Sequence, residues 1–175
     1  AAIAAALKVP HVVITTSELD NPSFRANPPD RCYHCKRELL AKLDELRIKL
    51  GYAFIADGTN ADDASDYRPG ARAVKEFGVR SPLAEAGLTK GDVREISRSL
   101  GLPNWDHPAA ACLASRIPYG TAIEPEVLRR IARAEETISA LTGIRLIRVR
   151  HHGAVARIEA PPEDIEKLSE PDVRR

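Results

Sequence analysis

The sequence predicts an α/β protein, with a parallel-sheet domain over residues 1–108 and a small α+β domain over residues 109–175. Three observations predict it. Short apolar or β-branched runs alternate with stretches of helical periodicity through the first two thirds, the pattern of parallel strands joined by crossover helices. A connection rich in Pro and Gly, residues 102–123, then interrupts the alternation. Beyond it, one long helix and two short strands read as a separate unit.

Taken in order, residues 1–8 read as the end of a helix and Val12–Thr16 as a short β-branched strand. From about Tyr33 to Leu50, Leu39, Leu43, Leu46 and Leu50 recur every three or four residues. That spacing puts them on one helix face, and Gly51 supplies the left-handed residue that ends it. Ala53–Ala56 is a short apolar strand leading into the polar loop Asp57–Asp63, and residues 71–77 form a short helix. Thr89 caps the next helix, with Asp92 three residues on and Gly101 past its end. Pro125 opens a long helix to about Thr142. Residues 144–150 and 155–160 read as two strands of a hairpin whose turn contains His151 and His152. The tail begins a further helix at Pro161.

Composition narrows the function classes. Hydrophobic residues make up 43% and charged residues 29%, enough for both a packed core and a solvated surface, which excludes intrinsic disorder. The formal charge is +1, so neither a nucleic-acid partner nor an anionic membrane surface is implied. No apolar run approaches a membrane span, and the first residues lack the basic start and apolar stretch of a secretion signal. The 3 cysteines are an odd number, which argues against a disulfide framework and for a reducing, cytoplasmic compartment. There is no Met, even at position 1, and the first residues read as a helix already under way; the chain is expected to be an internal piece of a longer protein.

Those cysteines are the sharpest chemical feature. Cys32 and Cys35 lie in Arg31-Cys-Tyr-His-Cys-Lys36, and Cys112 lies in Ala111-Cys-Leu-Ala-Ser-Arg116. Three thiolates can hold an iron–sulfur cluster and leave one iron open, whereas four would close it. Competing readings are a dithiol redox pair, a zinc site completed by His34, His107 or His151, or cysteines without a shared role.

Other residues carry weaker signals. The loop Asp57, Gly58, Thr59, Asn60 follows a predicted strand, where α/β proteins bind ligands, and its carboxylates suit a ribose or Mg²⁺. Equally, Asp, Gly and Asn are ordinary turn residues. Arg148 and Arg150 share one strand face, as a phosphate site would use them, with Ser115 and Arg116 able to join; an edge strand protected by charge is the alternative. Trp105 and Tyr119 read as packing residues, and Glu135 and Glu136 as a solvated helix face from which Glu136 could reach a metal or substrate.

Several of these stretches together resemble the LarE family, ATP-dependent sulfur transferases that build the nickel-pincer nucleotide cofactor. They are Pro29–Lys36, Asp57–Asn60 with Asp62 and Asp63, Asp66-Tyr-Arg-Pro-Gly70, Ser81–Leu83, Ala111–Gly120 and Arg148–Gly153. The resemblance implies an N-terminal PP-loop ATP pyrophosphatase domain of the adenine nucleotide alpha-hydrolase type, followed by a sulfur-transfer domain. It implies that ATP adenylates a carboxylate of pyridinium-3,5-biscarboxylic acid mononucleotide, and that sulfur displaces AMP to give a thiocarboxylate. One branch sacrifices the sulfur of a single cysteine at the position of Cys112. The other has three cysteines and a [4Fe–4S] cluster, and Cys32, Cys35 and Cys112 resemble that branch.

By the same resemblance Ser115, Arg116, Arg148 and Arg150 bind the substrate phosphate with Glu136 nearby, and the Asp57–Asn60 loop faces the adenylate, with ATP, Mg²⁺ and a sulfide donor as cofactors and partners. A homo-oligomer such as a hexamer is also implied. The Ser-Gly-Gly-x-Asp-Ser motif of the PP-loop is absent; its place lies upstream of residue 1, and the C-terminal end also stops short. This stretch alone is therefore not expected to hydrolyse ATP, while the full-length protein is expected to carry the loop. A tRNA-thiolating enzyme of the same superfamily predicts a basic surface, and a zinc-stabilised binding module predicts stoichiometric zinc.

Overall fold

In the computed structural model, which describes residues 2–65, 68–108 and 111–173, helices and short strands follow in mixed order. The helices are α1 (Ala2–Ala6), α2 (Pro22–Arg25), α3 (Arg31–Leu50), α4 (Gly70–Glu76), α5 (Pro82–Glu85), α6 (Lys90–Ser99), α7 (Pro125–Thr142) and α8 (Ile165–Leu168). The strands are β1 (Arg148–His152) and β2 (Val155–Glu159). Asp66 and Tyr67 of the family-like stretch lie outside the described residues, as do Ala109 and Ala110 beside the expected domain boundary. The chain forms two units, one of Ala1–Asn21 with Asp30–His107, the other of Pro22–Pro29 with Pro108–Arg175.

In the first unit α3 is the longest element. Its Leu40 is 2% exposed, and Gly51 adopts φ 72° so that its N–H and that of Tyr52 close onto the last carbonyls of the helix. Helix α4 packs on α3; Arg72 stacks over the Tyr33 ring at 3.4 Å, and the Tyr33 hydroxyl donates to Glu76 at 3.0 Å. Helix α6 carries the predicted cap: Asp92 N–H donates to Thr89 Oγ1, and Thr89 N–H donates back to Asp92 Oδ2 at 2.8 Å.

Strands are where expectation and structure part. Val12–Thr16 is not a strand; Val12 and Val13 are 57% and 81% exposed, and no strand among the described residues lies beside them. The segment is instead tied to α3 by polar contacts, Lys42 Nζ donating to Thr15 O and Ser17 N–H to Glu38. Of the Ala53–Ala56 strand there remains one parallel bridge, Ala56 to Arg80, flanked by Arg80 N–H to Ile55 O and Asp57 N–H to Arg80 O, each 2.9 Å. β-propensity marks a segment that can pair, but the ladder needs a neighbour. The parallel sheet expected for residues 1–108 is thus represented, among the described residues, by this single bridge.

In the second unit α7 opens on Pro125 and closes on Gly143 at φ 71°. Strands β1 and β2 pair antiparallel from Arg148–Glu159 to His152–Val155. The turn is therefore at Gly153 and Ala154, and His151 and His152 belong to β1 rather than to the turn; Gly153 takes the positive φ, 64°, that a tight turn requires. The core joins Ile144, Ile147 and Val149 to Ala134 and Ile138 of α7, Ala160, and Leu168 of α8.

Pro22–Pro29 belongs to this unit through Asn27. That residue is fully buried, sits at φ 55°, and donates from Nδ2 to Ile117 O, Pro118 O and Thr121 O at 3.3, 2.8 and 2.9 Å. Its own carbonyl accepts from Gly120 N–H at 2.9 Å.

Candidate functional site

Each unit carries one thiol-bearing site. In the first, a cleft of about 440 Å³ is lined by Cys32 and Lys36 from α3, Asp57 and Thr59 from the loop after the bridge, Arg68 and Gly70 at the start of α4, and Ser81 before α5. Cys32 and Lys36 lie four residues apart on a helix and so share a face. Cys35, three residues from Cys32 in the same turn, is half-buried, while Cys32 is exposed. The helix start that presents them follows from Asp30, whose carbonyl accepts the Tyr33 N–H at 2.8 Å.

Asp57 is the organising group. Oδ1 accepts from Ser81 Oγ at 2.8 Å and Thr59 N–H at 3.1 Å; Oδ2 accepts from Thr59 Oγ1 at 2.9 Å and lies 3.7 Å from Lys36 Nζ. Burial pushes its pKa up, but the hydrogen bonds from Ser81 and Thr59, with the Lys36 charge, together hold it below its ordinary 3.8. A carboxylate with a depressed folded-state value contributes stability that is present above its unfolded value and is lost as pH falls through the folded one. We therefore expect acid titration below about pH 4 to weaken the first unit, and Asp57→Asn to flatten that limb in a pH series of thermal midpoints. A limb identical in both proteins would assign the loss to other carboxylates.

The rest of the loop turns inward on itself. Asn60 Oδ1 accepts from Asp62 N–H at 3.1 Å, and Asn60 N–H donates to Asp63. Asp63 pairs with Arg68 at 2.6 Å, and Asp62 accepts from Lys90 N–H at the start of α6. Gly58 is exposed. So Asp57 and Thr59 of the four predicted loop residues line the cleft, while Gly58 and Asn60 shape the turn behind it. Lys36, Arg68 and Ser81 were not among the predicted site residues. Lys36 had a legible signal, its helical spacing from Cys32; Ser81 was marked only by the family-like stretch Ser81–Leu83, because the bridge that places it is a long-range pairing.

In the second unit Cys112 caps a short 3₁₀ turn, Leu113–Arg116, and is exposed. Arg116, predicted to bind phosphate, is 6% exposed and engaged inward. Its Nε and Nη2 donate to the two oxygens of Glu135 at 2.8 and 3.1 Å, and Nη1 donates to Ala111 O, Cys112 O and Ser115 Oγ. Arg150 Nη1 donates to Ser115 O at 2.9 Å. Its Nε lies 2.8 Å from Glu159 Oε2, a close ion pair without hydrogen-bond alignment. The close Arg150 guanidinium, with help from Arg157, holds Glu159 below its ordinary value against the opposing effect of burial. Arg148 lines a cleft of about 280 Å³ beside Glu159 and Pro161. Glu136 is exposed; its neighbour Glu135, read from sequence as part of a solvated face, is the one that is half-buried and bonded.

Cys32 and Cys35 belong to the first unit and Cys112 to the second. Among the described residues no three His, Cys, Asp or Glu side chains gather closely enough to hold a metal ion. The donor chemistry nonetheless suits iron: Cys32 and Cys35 occupy one helical turn, and Cys32 and Cys112 are open to solvent.

The class these features define is a mixed helix-and-strand protein with solvent-exposed thiols, one of them lining a cleft beside a lysine and an aspartate. No family model matches the chain. It is 37% identical over 84% of its length to the pyridinium-3,5-bisthiocarboxylic acid mononucleotide synthase of Lactiplantibacillus plantarum. It is also 50% identical over 91% of its length to an uncharacterized Synechocystis protein, and 36% identical over 81% to one from Methanocaldococcus jannaschii. The chain spans 53%, 59% and 55% of those relatives' lengths, respectively. Over the stretch it shares with the synthase, the chain belongs to the LarE family.

Proposed function

We propose that the full-length protein is an ATP-dependent sulfur transferase that converts pyridinium-3,5-biscarboxylic acid mononucleotide to its thiocarboxylate forms, through a PP-loop domain of which residues 1–108 are a part. The observation that carries this reading is the cleft that draws Cys32, Lys36, Asp57, Thr59 and Ser81 together from three separate segments. A substrate carboxylate oxygen attacks the α-phosphorus of ATP and pyrophosphate leaves. Sulfide then attacks the acyl carbon, AMP leaves, and a thiocarboxylate remains.

The chain's own groups divide the work. Asp57, kept ionised by Thr59 and Ser81, would orient a ribose hydroxyl or help hold Mg²⁺, and Lys36 beside it would offset phosphate charge. Arg148, which has no ion-pair partner among the described residues, meets the substrate phosphate. Cys32, Cys35 and Cys112 are the residues that would hold a [4Fe–4S] cluster, and that group would supply sulfide-transfer chemistry at an iron left free of a protein thiolate.

The test is anaerobic reconstitution of the full-length protein with iron and sulfide, then incubation with ATP and the biscarboxylate nucleotide. A brown protein with about four irons per chain, and a product heavier by one sulfur-for-oxygen exchange per carboxylate, is the expected result. A colourless protein binding only zinc would sink the cluster reading.

A further inference from the structure

We propose that Glu135 and Arg116 form a positioning pair that fixes the Cys112 turn against β1, so that Arg116 acts on the sulfur-bearing residue rather than on phosphate. The inference rests on Cys112 being the sulfur-handling residue of the second unit. One carboxylate joins three elements: Glu135, on α7, accepts from Arg116 of the 3₁₀ turn on both oxygens and from Val149 N–H of β1 on Oε1 at 2.9 Å. Arg116 then passes the constraint on, because its Nη1 donates to the carbonyls of Ala111 and Cys112 at 3.0 and 3.2 Å. Val149 is flanked by Arg148 and Arg150, and Arg150 closes the loop by donating to Ser115 O. The thiol-bearing turn and the arginine strand are thereby held through two independent ties.

The chemistry separates this role from ligand binding. Of the five guanidinium N–H groups of Arg116, the Nε–H and one on Nη2 go to Glu135, and Nη1 faces three oxygens of its own turn. Such a fork has little left to offer an incoming phosphate. Both partners are sequestered, with side-chain exposures of 6% and 16%, so the pair is geometrically specific where a solvent-exposed pair would not be. Glu136, one residue along, points to solvent and makes none of these bonds.

The experiment is alkylation of the reduced, chelator-treated full-length protein by iodoacetamide, followed peptide by peptide by mass spectrometry. Glu135→Gln and Arg116→Lys are compared with wild type, and the Cys32 peptide serves as the internal reference. In at least one variant we expect Cys112 to react about threefold faster or more, with the Cys32 rate unchanged, because local opening of one turn is released. In active protein the same change lowers kcat and leaves KM for the nucleotide within about twofold. An unchanged Cys112 rate in both variants overturns the proposal, as does an equal acceleration of Cys32 and Cys112, which would mark general loosening. Should Glu135→Gln fail to fold, Arg116→Lys decides alone. Absence of sulfur transfer in wild type would instead defeat the functional reading, and it leaves the alkylation ratio free to be read.

Discussion

Cys112→Ala in the full-length protein is expected to abolish thiocarboxylate formation, by about a thousandfold or more, while moving the thermal midpoint by no more than a degree or so. Both halves follow from where the residue sits. The thiol is exposed and caps a 3₁₀ turn, so its loss opens no cavity in the core. The contacts that hold the turn, Ser115 N–H to Cys112 O and Arg116 Nη1 to Cys112 O, are made by the backbone carbonyl and survive the substitution. Cys32→Ala makes the experiment sharper. If sulfur transfer depends on three thiolates together, the two variants fail alike and both lose iron. If Cys112 gives up its own sulfur, Cys32→Ala retains one turnover and Cys112→Ala none. Measuring product per chain in a single-turnover assay separates the two.

Asn27→Ala is expected to destabilise the second unit by about 2 kcal/mol or more, a fall in midpoint on the order of 10 °C. Its amide reaches three backbone carbonyls where the residue is fully buried, so truncation leaves buried acceptors without their donor. The left-handed φ of 55° adds a second cost, since Ala tolerates that region less well than Asn. Asn27→Gly isolates the two effects: it keeps the backbone conformation and loses the amide, so it should melt above Asn27→Ala but well below wild type. A midpoint for Asn27→Ala within a degree or two of wild type would falsify this account.

What could be read from the amino acids was what is decided locally. Helix α3 was legible because leucine spacing and Gly51 lie within the helix and its cap; α6 and α7 because Thr89 with Asp92, and Pro125 with Gly143, mark their own ends. Strands were less so. Val12–Thr16 has the composition of a strand and stays unpaired, and the hairpin turn moved past the histidines because register is set by pairing, not by the turn residues alone. The same distinction governed the site. The cysteines and Asp57 announce themselves, whereas the meaning of Arg116 depends on Glu135, nineteen residues on and turned inward by packing. Nothing near Asn27 in the chain signals its role, since its partners lie 90 to 94 residues away.

That separation has a bearing on how the polypeptide is made and handled. Pro22–Pro29 is synthesised before α3 but lacks these companions until the segment around residues 117–123 has been translated, because Arg25 and Asn27 bond to Ile123, Gly120 and their neighbours. The nascent chain must therefore complete α3 and the elements after it with its earlier stretch still unsatisfied. A recombinant fragment beginning at residue 108 would inherit the hairpin and α7 but not the Pro22–Pro29 segment that bonds to residues 117–124, so the unit cannot be excised as one contiguous piece.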